Sequence, residues 1–187
     1  MDKTTILNAQ QIVQEVILRE IKTIIYSEQT ASAPYVKFIL IANAIEFLGA
    51  CGDKFPFIEG GHSEDRFNVA LKNYFNGKYH KYAKAGSIIY MYEDFRCAMI
   101  HQLRPSDKVN LTQRSGTHKH LDEEKGFAML HLVLEDFYDD LEKAAKTFLK
   151  MVADGKIPDK QKTEADFLYV KQSDSGTTIH NETKIVD

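Results

Sequence analysis

This sequence of 187 residues has few cysteines, a small net charge and few long apolar runs. The two cysteines, Cys51 and Cys97, lie within helical patterns and form no CxxC pair, so we expect neither a disulfide framework nor thiol catalysis. No run approaches the roughly 18 apolar residues of a membrane span, and the segment after Met1 is amphipathic, unlike the apolar core of a signal peptide. We therefore expect a cytoplasmic protein with no membrane association.

The formal net charge of −3 argues against a protein that simply coats nucleic acid, because that mode of binding needs a strongly basic surface. One segment differs from the rest. Between positions 96 and 120 a single acid, Asp107, is accompanied by five cationic residues, which are Arg96, Arg104, Lys108, Arg114 and Lys119. This segment is either a local patch for a phosphate backbone or a solvated loop after a helix.

Motifs for metals and bound nucleotides are weak. His118 and His120, together with His62 or Asp122, fix neither a ligand number nor a coordination geometry, so solvated histidines are the better interpretation. Gly60 and Gly61 lack the Lys-Ser/Thr of a phosphate-binding loop. The sequence therefore predicts no metal and no cofactor.

Helical periodicity dominates the first 155 residues. It predicts helices at about residues 6–26, 36–49, 63–75, 87–104 and 121–152, with Ser63 and Ser87 as N-caps, Pro105 as a stop signal and an exposed basic loop at 106–119. We therefore predict an all-α, up-and-down bundle of four to five helices over residues 1–155. Residues 156–187 form a short tail, either irregular or a small hairpin around the turn at 173–176.

The fourth predicted helix carries Arg96 and His101. At about 100° per residue, their side chains point about 140° apart. The stripe expected to face the core consists of Ile88, Tyr92, Phe95, Met99 and Leu103. The strip between the two polar residues contains Tyr90, Glu93, Cys97, Ile100 and Arg104. The pair is thus predicted to lie away from the core face.

Spacing alone does not make this pair significant. With five arginines and seven histidines, about half a pair at such a spacing is expected by chance. A second pair, Arg114 and His120, lies in a segment that serine, glycine and threonine mark as a loop.

An arginine, four intervening residues and a histidine near the end of a helix, followed by a basic loop and another long helix, resemble the HEPN superfamily of helical-bundle proteins. The diagnostic residues are 95–101, and the order of helices covers about the first 155 residues. The residue after the arginine is commonly polar in that family, whereas here it is Cys97. The resemblance implies a HEPN-like fold and a metal-independent endoribonuclease or RNA-binding protein of a toxin or defence type. It also implies a homodimer and, as partners, RNA and an antitoxin or other protein.

The resemblance assigns His101 the acid/base role and Arg96 the phosphate-binding role. Supporting or RNA-binding roles are assigned to Tyr90, Glu93, Asp94, Cys97 and Arg104. The alternative is a non-catalytic helical module that binds a protein or nucleotide partner. In that case Arg96 forms a salt bridge with Glu93 or with a carboxylate of a neighbouring helix, and His101 interacts with the end of its own helix.

Overall fold

The structure, a computed structural model, describes residues 4–6, 8–57, 59–124, 128–160, 169–173 and 176–180, and the side chains of those between 8 and 160. The longer helices in this part of the chain are α1 (residues 9–26), α2 (Pro34–Gly52), α3 (Ser63–Asn73), α4 (residues 92–102) and α5 (Leu134–Ala153), and short 3-10 helices lie at Glu28–Thr30 and Gly77–Tyr82. The strands are β1 (Thr4–Ile6), β2 (Val109–Thr112), β3 (Glu123–Glu124), β4 (Met129–Val133), β5 (Tyr169–Ser173) and β6 (Gly176–His180).

Helix α1 begins where Asn8 and Gln11 cap each other's backbone N–H groups. It continues through a π-helical stretch, Val13–Ile21, and ends at Tyr26. Most of its buried side chains recur at every fourth position, at Ala9, Val13, Ile17, Ile21 and Ile25, and Ile12 is buried beside them. The predicted amphipathic helix is therefore present, but Ile6 belongs to a strand and not to the helix.

Helix α2 is the centre of the fold, since it packs against α1, α3, α4 and α5. It starts with Pro34 in the first turn and buries residues on all sides. Its length and composition alone would suffice to cross a membrane, but more than half of that stretch is buried within the fold. Gly49 lets α3 approach closely, because a Cβ there would lie 1.8 Å from the carbonyl oxygen of Arg66. Helix α2 therefore behaves as a core helix.

The third and fourth helices begin differently from the prediction. His62, without a side-chain cap bond, precedes α3, so Ser63 is its first residue and not its cap. The Ser87 hydroxyl donates to the carbonyl oxygen of Lys81 instead of capping α4. Helix α4 ends at Gln102, because the left-handed backbone of Leu103 (φ 57°) stops it before Pro105 is reached.

The all-α prediction is wrong for residues 106–133. Strand β2 lies in the predicted loop, and β3 and β4 replace the first part of the predicted long helix. Together they form a three-stranded mixed sheet of order β2-β4-β3, in which β2 is parallel and β3 antiparallel to β4. Four consecutive residues of β4, at 130–133, are buried, and such a run, apolar except for His131, fits a buried strand as well as a helix.

The C-terminal strands β5 and β6 form an antiparallel hairpin, one of the two states left open for the tail. Strand β5 also pairs with β1, so the N-terminal strand and the tail share a sheet. The Lys160 ammonium group donates to the Ala50 carbonyl oxygen and to the Asp53 carboxylate at the end of α2. The boundary predicted at residue 155 thus separates segments that hydrogen-bond to each other.

Candidate functional site

Arg96 and His101 both lie on α4, as predicted, but their environments differ. Arg96 belongs to a π-helical stretch, Tyr92–Cys97, and His101 to the α-helical turn Ala98–Gln102 that follows. Because the π-helix has a wider turn, the angle expected for a regular α-helix does not apply across the pair. Arg96 is largely buried, whereas His101 is exposed in the last turn.

Arg96 forms an ion pair with Glu46 of α2. The Nη2 atom lies 2.5 Å from Glu46 Oε2, and only 13% of the arginine side chain and 19% of the glutamate side chain are exposed. The guanidinium group also lies 5.6 Å from the centroid of the Tyr92 ring, within cation–π range. Burial by itself lowers the pKa of Arg96, but the charge of the nearby Glu46 carboxylate, together with the contacts to Cys97 and Tyr92, raises the pKa above its ordinary value.

The hydrogen bonding of this guanidinium group is incomplete. Nε of Arg96 is buried and has no hydrogen-bond partner among the described residues. Oε2 of Glu46 faces Nη2, the neighbouring nitrogen of the same group. Nη1 has only a weak contact of 4.0 Å with the Cys97 sulfur. The guanidinium group therefore has a charge partner in Glu46 but a buried Nε donor without an acceptor.

Two of the predicted supporting residues have structural partners. The buried Tyr90 hydroxyl donates to Glu64 Oε1 and accepts from Asn68 Nδ2, both at 2.6 Å, and burial followed by the Glu64 hydrogen bond raises its pKa. Asp94 accepts from the backbone N–H of Tyr90 at 2.8 Å and from the Ser106 hydroxyl at 2.9 Å. Asp94 therefore fixes the start of α4 and the segment after it.

Glu93 and Arg104 are exposed, and Cys97 is half-buried. The basic segment at residues 96–120 carries less uncompensated positive charge in the fold than its sequence implies. Arg96 faces Glu46, Lys108 lies 3.5 Å from Asp94, and Arg114 contacts Asp136 and Asp139 at the start of α5. Three of its five cations are thus neutralised within the chain.

His120, the histidine of the second Arg–His pair, belongs to a buried network that the sequence did not predict. His120 Nδ1 accepts from the Val133 N–H at 3.1 Å, so the ring proton is on Nε2, which lies 2.7 Å from the Tyr79 hydroxyl. That hydroxyl donates to Asp140 at 3.1 Å. Burial lowers the pKa of His120 to about 4.

This network borders a cleft of about 680 Å³. Its lining is Asn76, Gly77, Lys78, His120, Leu121, Asp136, Asp139, Asp140 and Lys143. His118 instead stacks on His131, with ring centroids 3.9 Å apart. Among the described residues, no group of three or more His, Cys, Asp or Glu side chains is arranged to hold a metal ion.

Glu46 is the other residue that the sequence pattern did not identify. It is the only acidic residue in α2, which is otherwise the most apolar helix of the chain. A lone acid in such a helix indicates a specific partner, but its identity depends on how α2 and α4 pack.

Comparisons with known proteins add no family assignment: no protein-family model, curated protein or solved structure matches the chain. The resemblance to HEPN proteins stays a prediction that depends on residues 95–101.

Proposed function

We propose that this protein is a HEPN-like, metal-independent endoribonuclease that acts as a homodimer in a toxin or defence role. The observation that supports it most is the Arg96 guanidinium group, which is held in place by Glu46 and Tyr92 but has a buried Nε without an acceptor. An anionic oxygen would complete its hydrogen bonding. His101, five residues later and exposed, is available for proton transfer.

The chemistry matches these two residue types. As a base, His101 removes the proton of a ribose 2′-hydroxyl, whose oxygen then forms a bond to phosphorus. The bond between phosphorus and the 5′-oxygen breaks, and that oxygen receives a proton from a second imidazole. Arg96 stabilises the additional negative charge on the phosphate oxygens during the step. The products are a 2′,3′-cyclic phosphate and a free 5′-hydroxyl, and no metal ion takes part.

The homodimer belongs to this proposal because one chain supplies a single motif. The surface next to His101 includes Leu103, whose side chain is 67% exposed and lies beside Arg104. An exposed large apolar residue beside polar ones suits a protein contact. Pairing two copies across this surface would bring two His101 residues together, one as the base and one as the acid.

A cleavage assay tests the proposal. Purified protein is incubated with mixed RNA in EDTA, and the products are compared with those of His101→Ala. We expect the wild-type protein to cleave and the variant to lose at least about 100-fold in rate, as is typical when a general acid or base is removed. His118→Ala is a matched control, because His118 is also exposed but lies outside the motif. Equal cleavage by wild type and His101→Ala would exclude the catalytic role.

A second candidate function is a non-catalytic module that binds a protein or nucleotide partner. The ion pair with Glu46 favours it, because a salt bridge to a neighbouring helix is one of the structural uses expected for Arg96. This candidate predicts no cleavage by either protein in the same assay. It also predicts that His101→Ala leaves partner binding intact.

A further inference from the structure

Glu46 has an unusual position for a carboxylate. It lies on the central helix α2 between Ile45 and Phe47, and its only ionic partner among the described residues is Arg96. Removing a carboxylate from water is costly unless charge and hydrogen bonds compensate for it. Here the charge is compensated, but the hydrogen bonding is incomplete, since Arg96 Nε lacks a partner. The pair is therefore not an optimised structural salt bridge.

The geometry of the guanidinium group indicates what is missing. Nε and Nη2 form one edge of the fork, which can donate two parallel hydrogen bonds to a carboxylate or phosphate. Glu46 contacts only Nη2 of this edge, and Nε is unused. A phosphate group placed along the same edge would engage both nitrogens. Glu46 and such a phosphate would compete for Nη2, because two anions close to one cation repel each other.

We propose that Glu46 is an internal counter-ion that occupies Arg96 in the free protein and is exchanged for a backbone phosphate when RNA binds. This inference depends on the proposed function, since it assumes that Arg96 is the phosphate-binding residue. Glu46 thus keeps the charge of a largely buried arginine compensated until the substrate arrives. It also weakens binding of any anion that does not displace it.

The test is the affinity for a non-cleavable, fully 2′-O-methylated RNA oligonucleotide, measured by fluorescence anisotropy at low salt. In Glu46→Gln the competing charge is removed, and we expect binding at least about fivefold tighter than in the wild type, the lower end of ordinary couplings between two ligands. Glu142→Gln is the matched control, because it also removes one partly buried, ion-paired carboxylate but lies on α5. It should not change the affinity beyond its small effect on net charge.

The variant Arg96→Gln distinguishes a failure of the proposed exchange from a failure of the proposed function. If Arg96→Gln weakens binding and Glu46→Gln does not strengthen it, the exchange is wrong while the phosphate role of Arg96 stands. If Arg96→Gln binds as the wild type does, the proposed function is wrong and the exchange with it. If both effects occur, the double variant should lose the gain of Glu46→Gln, because that gain acts through Arg96.

A direct observation is available if Glu46→Gln folds poorly. In the wild-type protein labelled with ¹⁵N-arginine, the Nε–H signal of Arg96 is assigned by its absence in Arg96→Gln. Titration with the same oligonucleotide should shift this signal, because Nε gains an acceptor. A signal that does not move while the oligonucleotide binds would show that Arg96 keeps its present partner, and would overturn the exchange.

Discussion

At the scale of single residues, unsatisfied polar atoms are few. Arg96 Nε is one of the buried polar atoms without a hydrogen bond among the described side chains, although its neighbour Nη2 lies 2.5 Å from Glu46. Native proteins retain few such atoms, so each one needs a physical explanation. The sequence predicted that Arg96 and His101 share a helix. It could not predict Glu46, because that contact depends on the packing of α2 against α4.

His120 leads to a prediction about pH at the same scale. Its pKa is lowered from 6.5 to about 4 in the folded protein, because the ring is buried and the nearby Asp140 and Asp136 offset only part of that effect. Between these two values the unfolded chain binds a proton that the folded chain does not, so stability is highest above pH 6.5 and falls as the pH drops towards 4. The loss attributable to His120 is about 3 kcal/mol.

Urea unfolding measured at intervals from pH 7 to pH 4 checks this linkage. We expect His120→Asn to be less stable at pH 7 but to show a shallower fall of the unfolding free energy with decreasing pH. His131, whose pKa is also lowered by burial and by His118, contributes a slope in the same direction. Burial is the larger of these two causes, so His118→Asn should remove little of the slope that His131 contributes. An unchanged slope in His120→Asn would contradict the assignment.

At the scale of elements, the sequence predicted the helices better than the strands. Helices α1 and α2 were predicted because their apolar residues either follow a helical period or continue over a length no strand reaches. The strand β4 was missed because its residues, followed by α5, continue the helical spacing of Leu130, Leu134 and Phe137. Its pairing with β2 joins distant residues, and local periodicity does not contain that information.

The end of α4 gives a prediction for this scale. Leu103 adopts φ 57°, a conformation that costs a non-glycine residue roughly 1 kcal/mol, and its side chain is mostly exposed. Leu103→Gly should therefore leave stability unchanged or raise it by up to about 1 kcal/mol, whereas Leu103→Ala loses the same side chain without relieving the backbone. Urea unfolding of both variants at low protein concentration distinguishes them. If Leu103→Gly were less stable than Leu103→Ala, the backbone strain assigned to position 103 would be wrong.

At the scale of the whole molecule, two buried cations tie distant segments to the end of α2. Arg66 of α3 donates to Asp53 and to the carbonyl oxygens of Pro56, Phe57 and Glu59. Lys160 donates to the other oxygen of Asp53 and to the carbonyl oxygens of Ala50 and Phe55. These contacts lower the pKa of the Asp53 carboxyl against the opposing effect of its burial. The loop after α2 is thus organised by charges that come from elsewhere in the chain.

Lys160 is the test of this arrangement, because it connects the segment after α5 to the core. Lys160→Met keeps the length of the side chain but leaves two carbonyl oxygens and half of a carboxylate without their donor. We expect it to lower the unfolding free energy by about 2 kcal/mol, less than the loss of a fully buried partner because Arg66 still compensates Asp53. Lys156→Met, four residues earlier and paired only at the surface with Asp154, should change stability by less than about 0.5 kcal/mol. Urea unfolding at pH 7 compares the two variants, and equal stabilities would mean that the loop after α2 holds its conformation without Lys160.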